Sequence, residues 1–559
     1  MSFALLSPEI ILVAAAVAIY LGGTRQSLVP VWRSDRPWSW IAAGSIALAA
    51  VVLGCCGSCV SNDPLAEYAR WLALGLGAVL LLTAWRPPTR EPGAPAGGTP
   101  EYVGSLLLCV AGLMLAAGAG NLVLLVVSLE LISIPTYVLL ALGCRDPGTA
   151  RDHALHGARV AHGARAANGA RAGQEAAAKY FFLSILASVL FLYGLSFLYG
   201  TTGSMDLDVI RARLAHPQTL PPGFETLAKL AMVLVVAGLC FRVTAVPFHF
   251  YAPDVHQGTS HANAALLSVL PKAAGLVVLV RLVLVAMPDM AAYAWKVALV
   301  LSVLSMTLGN LLALWQDNLR RLMAYSSIAN AGYMLIGLCV ALAGAIPGAP
   351  TGSGYPPAGA SGWWDGVAAM LFYLGVYAAA TLGMFAALAY LGSARRQIDT
   401  LDELAGLGQT HPTVAAAVAA CLFSLAGLPP LGGLWAKLLV FGSALAAEPA
   451  AGGPHHPWLV ALAIVGVLNA AIGAFYYLRI VGVMYFRPSL GALRAEGGRA
   501  PWLAAMACAL AVLAVGVYPG PLMRVSTAAS PAAVGSGRSP QDRFESAEIW
   551  LDAATMPRS

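Results

Sequence analysis

The stretch 230–249, LAMVLVVAGLCFRVTAVPFH, runs apolar as far as Phe241 and then sets Arg242, Pro247 and His249 close together. A second stretch, 424–437, SLAGLPPLGGLWAK, does the same with Gly427, Pro429, Pro430, Gly432 and Gly433 ahead of Lys437. The apolar run from Thr413 to Ala446 would be about 50 Å long as one helix, against a hydrocarbon core of about 30 Å. Proline removes a helical hydrogen bond, so both runs read as helices broken in mid-membrane. Backbone broken at that depth is tolerated only where protein or a water-filled cavity satisfies it, and such discontinuous helices mark ion pathways.

Composition agrees. The chain has 559 residues, 59% of them hydrophobic and only 10% charged, with mean hydropathy +0.75. A soluble domain of that size needs far more polar surface, so the fold class is an all-α polytopic membrane protein. The net charge of +6 does not point to nucleic acid, because the basic residues lie singly between apolar runs. The first apolar segment lacks a basic leader and a small-residue cleavage site and is expected to stay as a helix. The cluster Cys55, Cys56 and Cys59 has no second cluster or histidine partner at ligand spacing. It reads as small residues ending a helix, with a local disulfide as the alternative. No Gly-rich loop follows a strand, so the chain is expected to bind no nucleotide, redox cofactor or metal.

Apolar runs long enough to cross number about fourteen, the fourth near residue 110, the fifth near 132, the seventh near 238, the eighth near 272 and the twelfth near 428. Lys and Arg gather in alternate loops: Arg25, Arg33 and Arg36, then Arg86 and Arg90, Arg145 to Arg171, Arg320 and Arg321, Arg395 and Arg396, and Arg487, Arg494 and Arg499. The seventh loop is not basic and Arg211 and Arg213 fall in the sixth, but by the positive-inside rule the basic loops are expected to be cytoplasmic and both termini to face outside. The expected organisation is three N-terminal spans (1–100), a first unit of five (101–290), a second unit of five (291–490), a fourteenth helix (491–525) and an unstructured tail (526–559). Because the two breaks lie five spans apart, the two units are expected to be inverted repeats with spans 7 and 12 discontinuous. Residues 144–178 carry a low-complexity insert in which Gly-Ala-Arg recurs, read as a solvated cytoplasmic loop, with His153, His156 and His162 incidental.

Four ionisable residues fall well inside spans: Glu130, Arg242, Lys272 and Lys437. Each costs about 2.5–3.5 kcal/mol at mid-bilayer on insertion scales, so they should face one another or water and form a polar axis. Lys179 and Lys229, near span ends, are better explained by snorkelling, and Lys179 also stands with His249, His261, Tyr373 and Tyr377 as a secondary candidate of the axis. His249 and His261 either pass protons through water or cap freed backbone groups. Tyr373 and Tyr377 either bridge toward Lys437 or pack as aromatics.

The stretches SLELISIPTYVLLAL, AAAKYFFLSILASVLFLYG, VPFHFYAPDVHQGTSHANAALLSVLPKAAG, GNLLALWQDNLRRLMAYSSIANAGYMLIG and SLAGLPPLGGLWAK span residues 101–487. Together they resemble the subunit N family of the proton-pumping NADH:quinone oxidoreductase, respiratory complex I. VPFHFYAPDVHQG is more similar to that family than to subunits L and M or the multisubunit sodium/proton antiporters, which tend to carry WLPxAH there. No lateral C-terminal extension of the kind subunit L carries is visible.

The resemblance implies fourteen helices in two inverted repeats and a translocase subunit of the inner (cytoplasmic) membrane. It implies that NADH, FMN, iron–sulfur clusters and quinone are bound by other subunits, with M and K as neighbours and L, J, A and H in the same arm. Residue by residue, it assigns the proton relay to Glu130, Lys272 and Lys437. Arg242 stands where the family usually carries a lysine. Burial favours the neutral form of a lysine, whereas arginine keeps its charge, so Arg242 is expected to be a fixed cation paired with Glu130 while Lys272 and Lys437 exchange the proton. The rival reading is a subunit of a multisubunit cation/proton antiporter, and a third is a purely structural subunit.

Overall fold

The computed structural model describes residues 7–24, 36–60, 63–85, 100–143, 160–216, 223–345, 364–392, 397–447, 455–489 and 495–530. These are helical, with no strand among the described residues beyond two isolated bridges. Inside a bilayer a helix satisfies its own backbone, which is why uninterrupted apolar sequence takes this form. In chain order the helices are α1 (Ser7–Thr24), α2 (Arg36–Val60), α3 (Pro64–Ala84), α4 (Pro100–Ala117), α5 (Leu122–Gly143), α6 (Val160–Thr202), α7 (Leu207–Leu214), α8 (Phe224–Val243), α9 (Tyr251–Gly258), α10 (His261–Leu279), α11 (Ala291–Leu314), α12 (Leu319–Gly344), α13 (Gly366–Leu391), α14 (Leu407–Thr410), α15 (Pro412–Ala426), α16 (Gly432–Ala446), α17 (His456–Phe486), α18 (Arg499–Val517) and α19 (Gly520–Ala528). Among the described residues twelve helices are long and apolar enough to cross a membrane, and α1, α15 and α16 are shorter apolar helices. The most enclosed are α10, α12 and α13, so the centre of the bundle is where these three meet.

The insert read as a loop is helical from Val160 onward, because α6 runs unbroken for 43 residues. Its alanine-rich sequence favours helix, and at 1.5 Å per residue it is about twice as long as the hydrocarbon core is thick. Residues 144–159, with His153 and His156, lie outside the described residues, as do the side chains of His162, Cys56 and Cys59. The tail beyond Ser530 and the loop residues Arg25, Arg33, Arg86, Arg90, Arg145, Arg395, Arg396 and Arg494 also lie outside them.

Both expected breaks are present and share one design. α8 ends at Thr244 in the left-handed region (φ 62°), and the Ala245 N–H donates back to the Cys240 carbonyl at 2.9 Å. α15 ends at Gly427 (φ 89°), and the Leu428 N–H donates to the Phe423 carbonyl at 2.9 Å. Such 6→1 closures satisfy the last carbonyls of a helix. In each case a proline follows at the third position, Pro247 or Pro430, and cannot donate to the carbonyl one helical turn before it, that of Val243 or Ala426. Thr244 Oγ1 donates to the Val243 oxygen, and Lys437 Nζ donates to the Ala426 oxygen at 2.8 Å. The peptide bonds entering Pro247 and Pro430 are cis.

A second junction is also built twice. Leu122 N–H donates to Met205 O (2.9 Å) and Leu207 N–H to Gly120 O (3.0 Å), forming the Asn121–Asp206 bridge. Leu319 N–H donates to Asp399 O (2.7 Å) and Leu401 N–H to Asp317 O (3.2 Å), forming the Asn318–Thr400 bridge. Asn121 caps α5 through the Leu124 N–H, and Asn318 caps α12 through the Arg321 N–H. α5 and α12 therefore begin in the same way and can be compared in register.

α16 starts hard against α15. A Cβ on Gly433 would lie 1.7 Å from the Ser424 carbonyl oxygen, and the Gly433 N–H is held by Ser424 Oγ at 3.0 Å. Gly433→Ala must push the two halves apart, so a loss of at least about 1–3 kcal/mol is expected. A lower unfolding temperature of the purified protein would show it, whereas Gly44→Ala, with open space around its position, should leave that temperature unchanged.

Candidate functional site: a buried axis of charge

At one end of the axis α5, α6 and α8 converge. Arg242, in the last turn of α8 and 5% exposed, donates to Glu130 Oε1 at 3.0 Å. Its other nitrogen donates to the Leu129 carbonyl at 3.1 Å and to Ser133 Oγ. Ser188 on α6 donates to the same Glu130 oxygen at 2.6 Å. Planar guanidinium with several fixed donors suits this multiple clasp, which a lysine could not make in full.

Lys272 is fully buried on α10, next to Pro271 inside the helix. Among the described residues it has no carboxylate partner. Its ammonium donates to the Ser327 carbonyl and to Ser327 Oγ (2.6 Å) on α12, with the Tyr377 ring of α13 at 5.1 Å. Lys437 on α16 likewise lacks a carboxylate partner there. It holds the orphaned Ala426 carbonyl across the break, with the Tyr333 ring of α12 at 5.3 Å. Gly427 leaves room for it, since a Cβ there would lie 2.9 Å from Lys437 Cδ.

Between the two lysines α12 presents a polar face. Tyr377 Oη lies 2.8 Å from Ser327 Oγ and 3.1 Å from the Ser268 carbonyl oxygen, and its one proton can go to either. Tyr373 donates to Asn330 Oδ1 (2.8 Å), and Asn330 donates to Tyr477 Oη (3.2 Å). Asn310 donates to Tyr333 Oη (3.0 Å) and accepts from Tyr476 (3.1 Å). Tyr377 therefore stands beside Lys272 and Tyr373 beside Asn330, so of the two roles open to them from sequence, neither hydroxyl bonds Lys437 directly. Sequence reading passed over Ser326, Ser327, Asn330 and Tyr333, although their spacing along 326–333 is the signature of one helical face.

His249 is half-buried in the turn between α8 and α9, and His261 is the buried first residue of α10. His256, not singled out from sequence, is buried on α9 with Nε2 3.0 Å from Ser268 Oγ and Nδ1 2.8 Å from the Ala252 carbonyl. Lys179 does more than snorkel: it pairs with Glu175 and with Asp254, both at 2.7 Å, and Arg321 reaches Asp254 at 2.6 Å. These groups are partly exposed, so Lys179→Ala should cost less than about 1 kcal/mol. An unchanged unfolding temperature would agree with that. A second buried pair, Glu9–Arg70 at 2.7 Å, ties α1 to α3. It was missed because each residue stands close to the end of its apolar run.

A polytopic helical bundle with buried cations beside two broken helices is built as an ion-translocating membrane protein. The chain belongs to the family described as NADH:quinone oxidoreductase/Mrp antiporter, TM, which matches residues 166–351 and 358–473. NADH-quinone oxidoreductase subunit N of Herminiimonas arsenicoxydans is 33% identical over 476 residues, 85% of each chain. The protein of the same name from Rhodospirillum rubrum is 35% identical over 467 residues, 81% of this chain and 82% of that one. Among solved structures, a chain of respiratory complex I from Thermus thermophilus with bound Aureothin is 28% identical, with TM-score 0.67 over 92% of this chain and 98% of that one. A chain of the Mrp complex from Dietzia sp. DQ12-45-1b shares the fold, with TM-score 0.70 at 20% identity over 98% of this chain and 99% of that one.

Proposed function

We propose that this chain is the proton-translocating, subunit N component of the membrane arm of an NADH:quinone oxidoreductase. It moves protons along its buried axis when quinone is reduced elsewhere in the complex. The observation that carries this reading is the pair of buried lysines, each held by neutral oxygens and separated by hydroxyls and amides of α12 and α13. An ammonium with only neutral partners can give up its proton without leaving a carboxylate unpaired. Glu130 and Arg242 are the fixed end of the axis. When they are in contact their charges largely cancel at Lys272; when they separate, the carboxylate stabilises the charged lysine more. The groups titrate as a set.

On this reading the twelve long helices, α1, and α15 with α16 counted as one broken crossing make fourteen spans, with both termini outside the inner membrane. The duplicated junctions and duplicated breaks support two inverted five-helix units, at 101–290 and 291–490. Subunits M and K are the proposed neighbours, with L, J, A and H in the same arm, and NADH, FMN, iron–sulfur clusters and quinone belong to other chains.

A subunit of a multisubunit cation/proton antiporter is the second reading, favoured by the likeness of fold to the Mrp chain. Purification of the tagged chain from its native membrane separates the two. Co-elution with iron–sulfur subunits and NADH:quinone reductase activity is expected. Sodium-dependent proton exchange by an assembly lacking iron–sulfur subunits would overturn the proposal.

A further inference from the structure

The twice-built junction puts α5 and α12 in register, and the register exposes an asymmetry at the axis. Asn121 and Asn318 are equivalent caps, so Glu130, nine residues on, corresponds to Ser327, and Ser133 corresponds to Asn330. The two helix breaks are likewise in register, Thr244 with Gly427 and Pro247 with Pro430, so Arg242 corresponds to Leu425. The first unit thus places an acid and a guanidinium where the second places a hydroxyl and an apolar side chain. The vacated acid position is not idle, because Lys272 reaches from α10 onto both oxygens of Ser327.

We propose that Ser327 is a positioning residue for proton transfer, a neutral stand-in for the acid of the first unit that holds the Lys272 ammonium without trapping its proton. A carboxylate at this depth would pair with Lys272 as Glu130 pairs with Arg242. Opposite charge at close range favours the charged form of a lysine and would hold the proton on it through the cycle. A hydroxyl orients the ammonium, and the Tyr377 hydroxyl lies 2.8 Å from it. When Lys272 releases its proton, the serine hydroxyl can turn and donate to the free amine. The Tyr377 hydroxyl also meets the Ser268 carbonyl, whose own side chain faces His256 at 3.0 Å. Ser327 is therefore the point where Lys272 joins the polar layer.

This inference rests on the assignment of Lys272 as a proton carrier, and the test keeps the two apart. Protons translocated per NADH oxidised are measured in membrane vesicles carrying the assembled complex with Ser327→Glu, Ser327→Ala, Ser327→Thr or Lys272→Ala. Ser327→Glu is expected to lower the yield about tenfold or more. Ser327→Ala is expected to lower it about threefold, the value of one lost hydrogen bond, with Ser327→Thr restoring it. Parent-level yield in both Ser327→Glu and Ser327→Ala, with Lys272→Ala inactive, overturns the role of Ser327 alone. Should Ser327→Glu fail to assemble, the alanine and threonine pair decides: an alanine variant at parent yield, or a threonine variant no better than alanine, overturns it. Parent-level yield in Lys272→Ala overturns the assignment beneath it as well.

Discussion

Lys272→Ala in the assembled complex is expected to lower proton translocation per NADH oxidised by about a hundredfold or more, the scale for losing a positioned proton-transfer group. Lys272 is fully buried, and it is the group through which α10 meets the polar face of α12. Removing it leaves the Ser327 carbonyl and hydroxyl without their cation and opens a void the length of the lysine stem. Lys272→Met separates these effects, since it keeps most of the volume and loses the amine. Both variants should lose translocation together, with NADH:quinone reduction falling alongside if the two processes are tightly coupled. Translocation retained by the methionine variant would mean that the stem, and not the amine, is what the bundle needs.

The second large effect is expected at the other end of the axis and on stability. Glu130→Gln removes the charge that compensates Arg242, whose side chain is 5% exposed while that of Glu130 is 30% exposed. Breaking one side of a fully buried ion pair costs about 3–5 kcal/mol, and partial exposure of the carboxylate reduces that cost, so the complex should unfold at a lower temperature. Removing both charges in Glu130→Gln with Arg242→Met should recover most of that loss, because the pair then leaves no orphan. A double variant as unstable as the single one would show that Glu130 stabilises the bundle through Ser188 and its backbone neighbours instead.

Much of this was legible in the chain, for reasons that can be named. Arg242, Lys272 and Lys437 stood out because a charge in an apolar run has so few explanations, and Pro247, Pro429 and Pro430 because a missing N–H cannot be hidden in a helix. The pairing of Glu130 with Arg242 followed from the need to neutralise both. The neutral half of the site was harder to read. Ser327, Asn330 and Tyr333 are unremarkable residue types, and only their helical spacing sets them apart from packing. Tyr377 could not be assigned to Lys272 over Lys437, since that depends on how α10, α12 and α13 cross. The long α6 was misread in its first turns because repeated Gly-Ala-Arg looks like a loop by composition, although its alanines favour helix. Asp254, shared by Lys179 and Arg321, joins elements far apart in sequence and leaves no local signal.

The central claim is that Lys272 must lose its proton, whereas Arg242 must not. Lys272→Arg tests it most directly, because it keeps a positive charge at the position and removes the ability to shed a proton. The measurement is protons translocated per NADH oxidised by the assembled complex in sealed vesicles. Lys272→Arg is expected to be as deficient as Lys272→Ala; translocation at the parent ratio would mean that Lys272 need not release its proton.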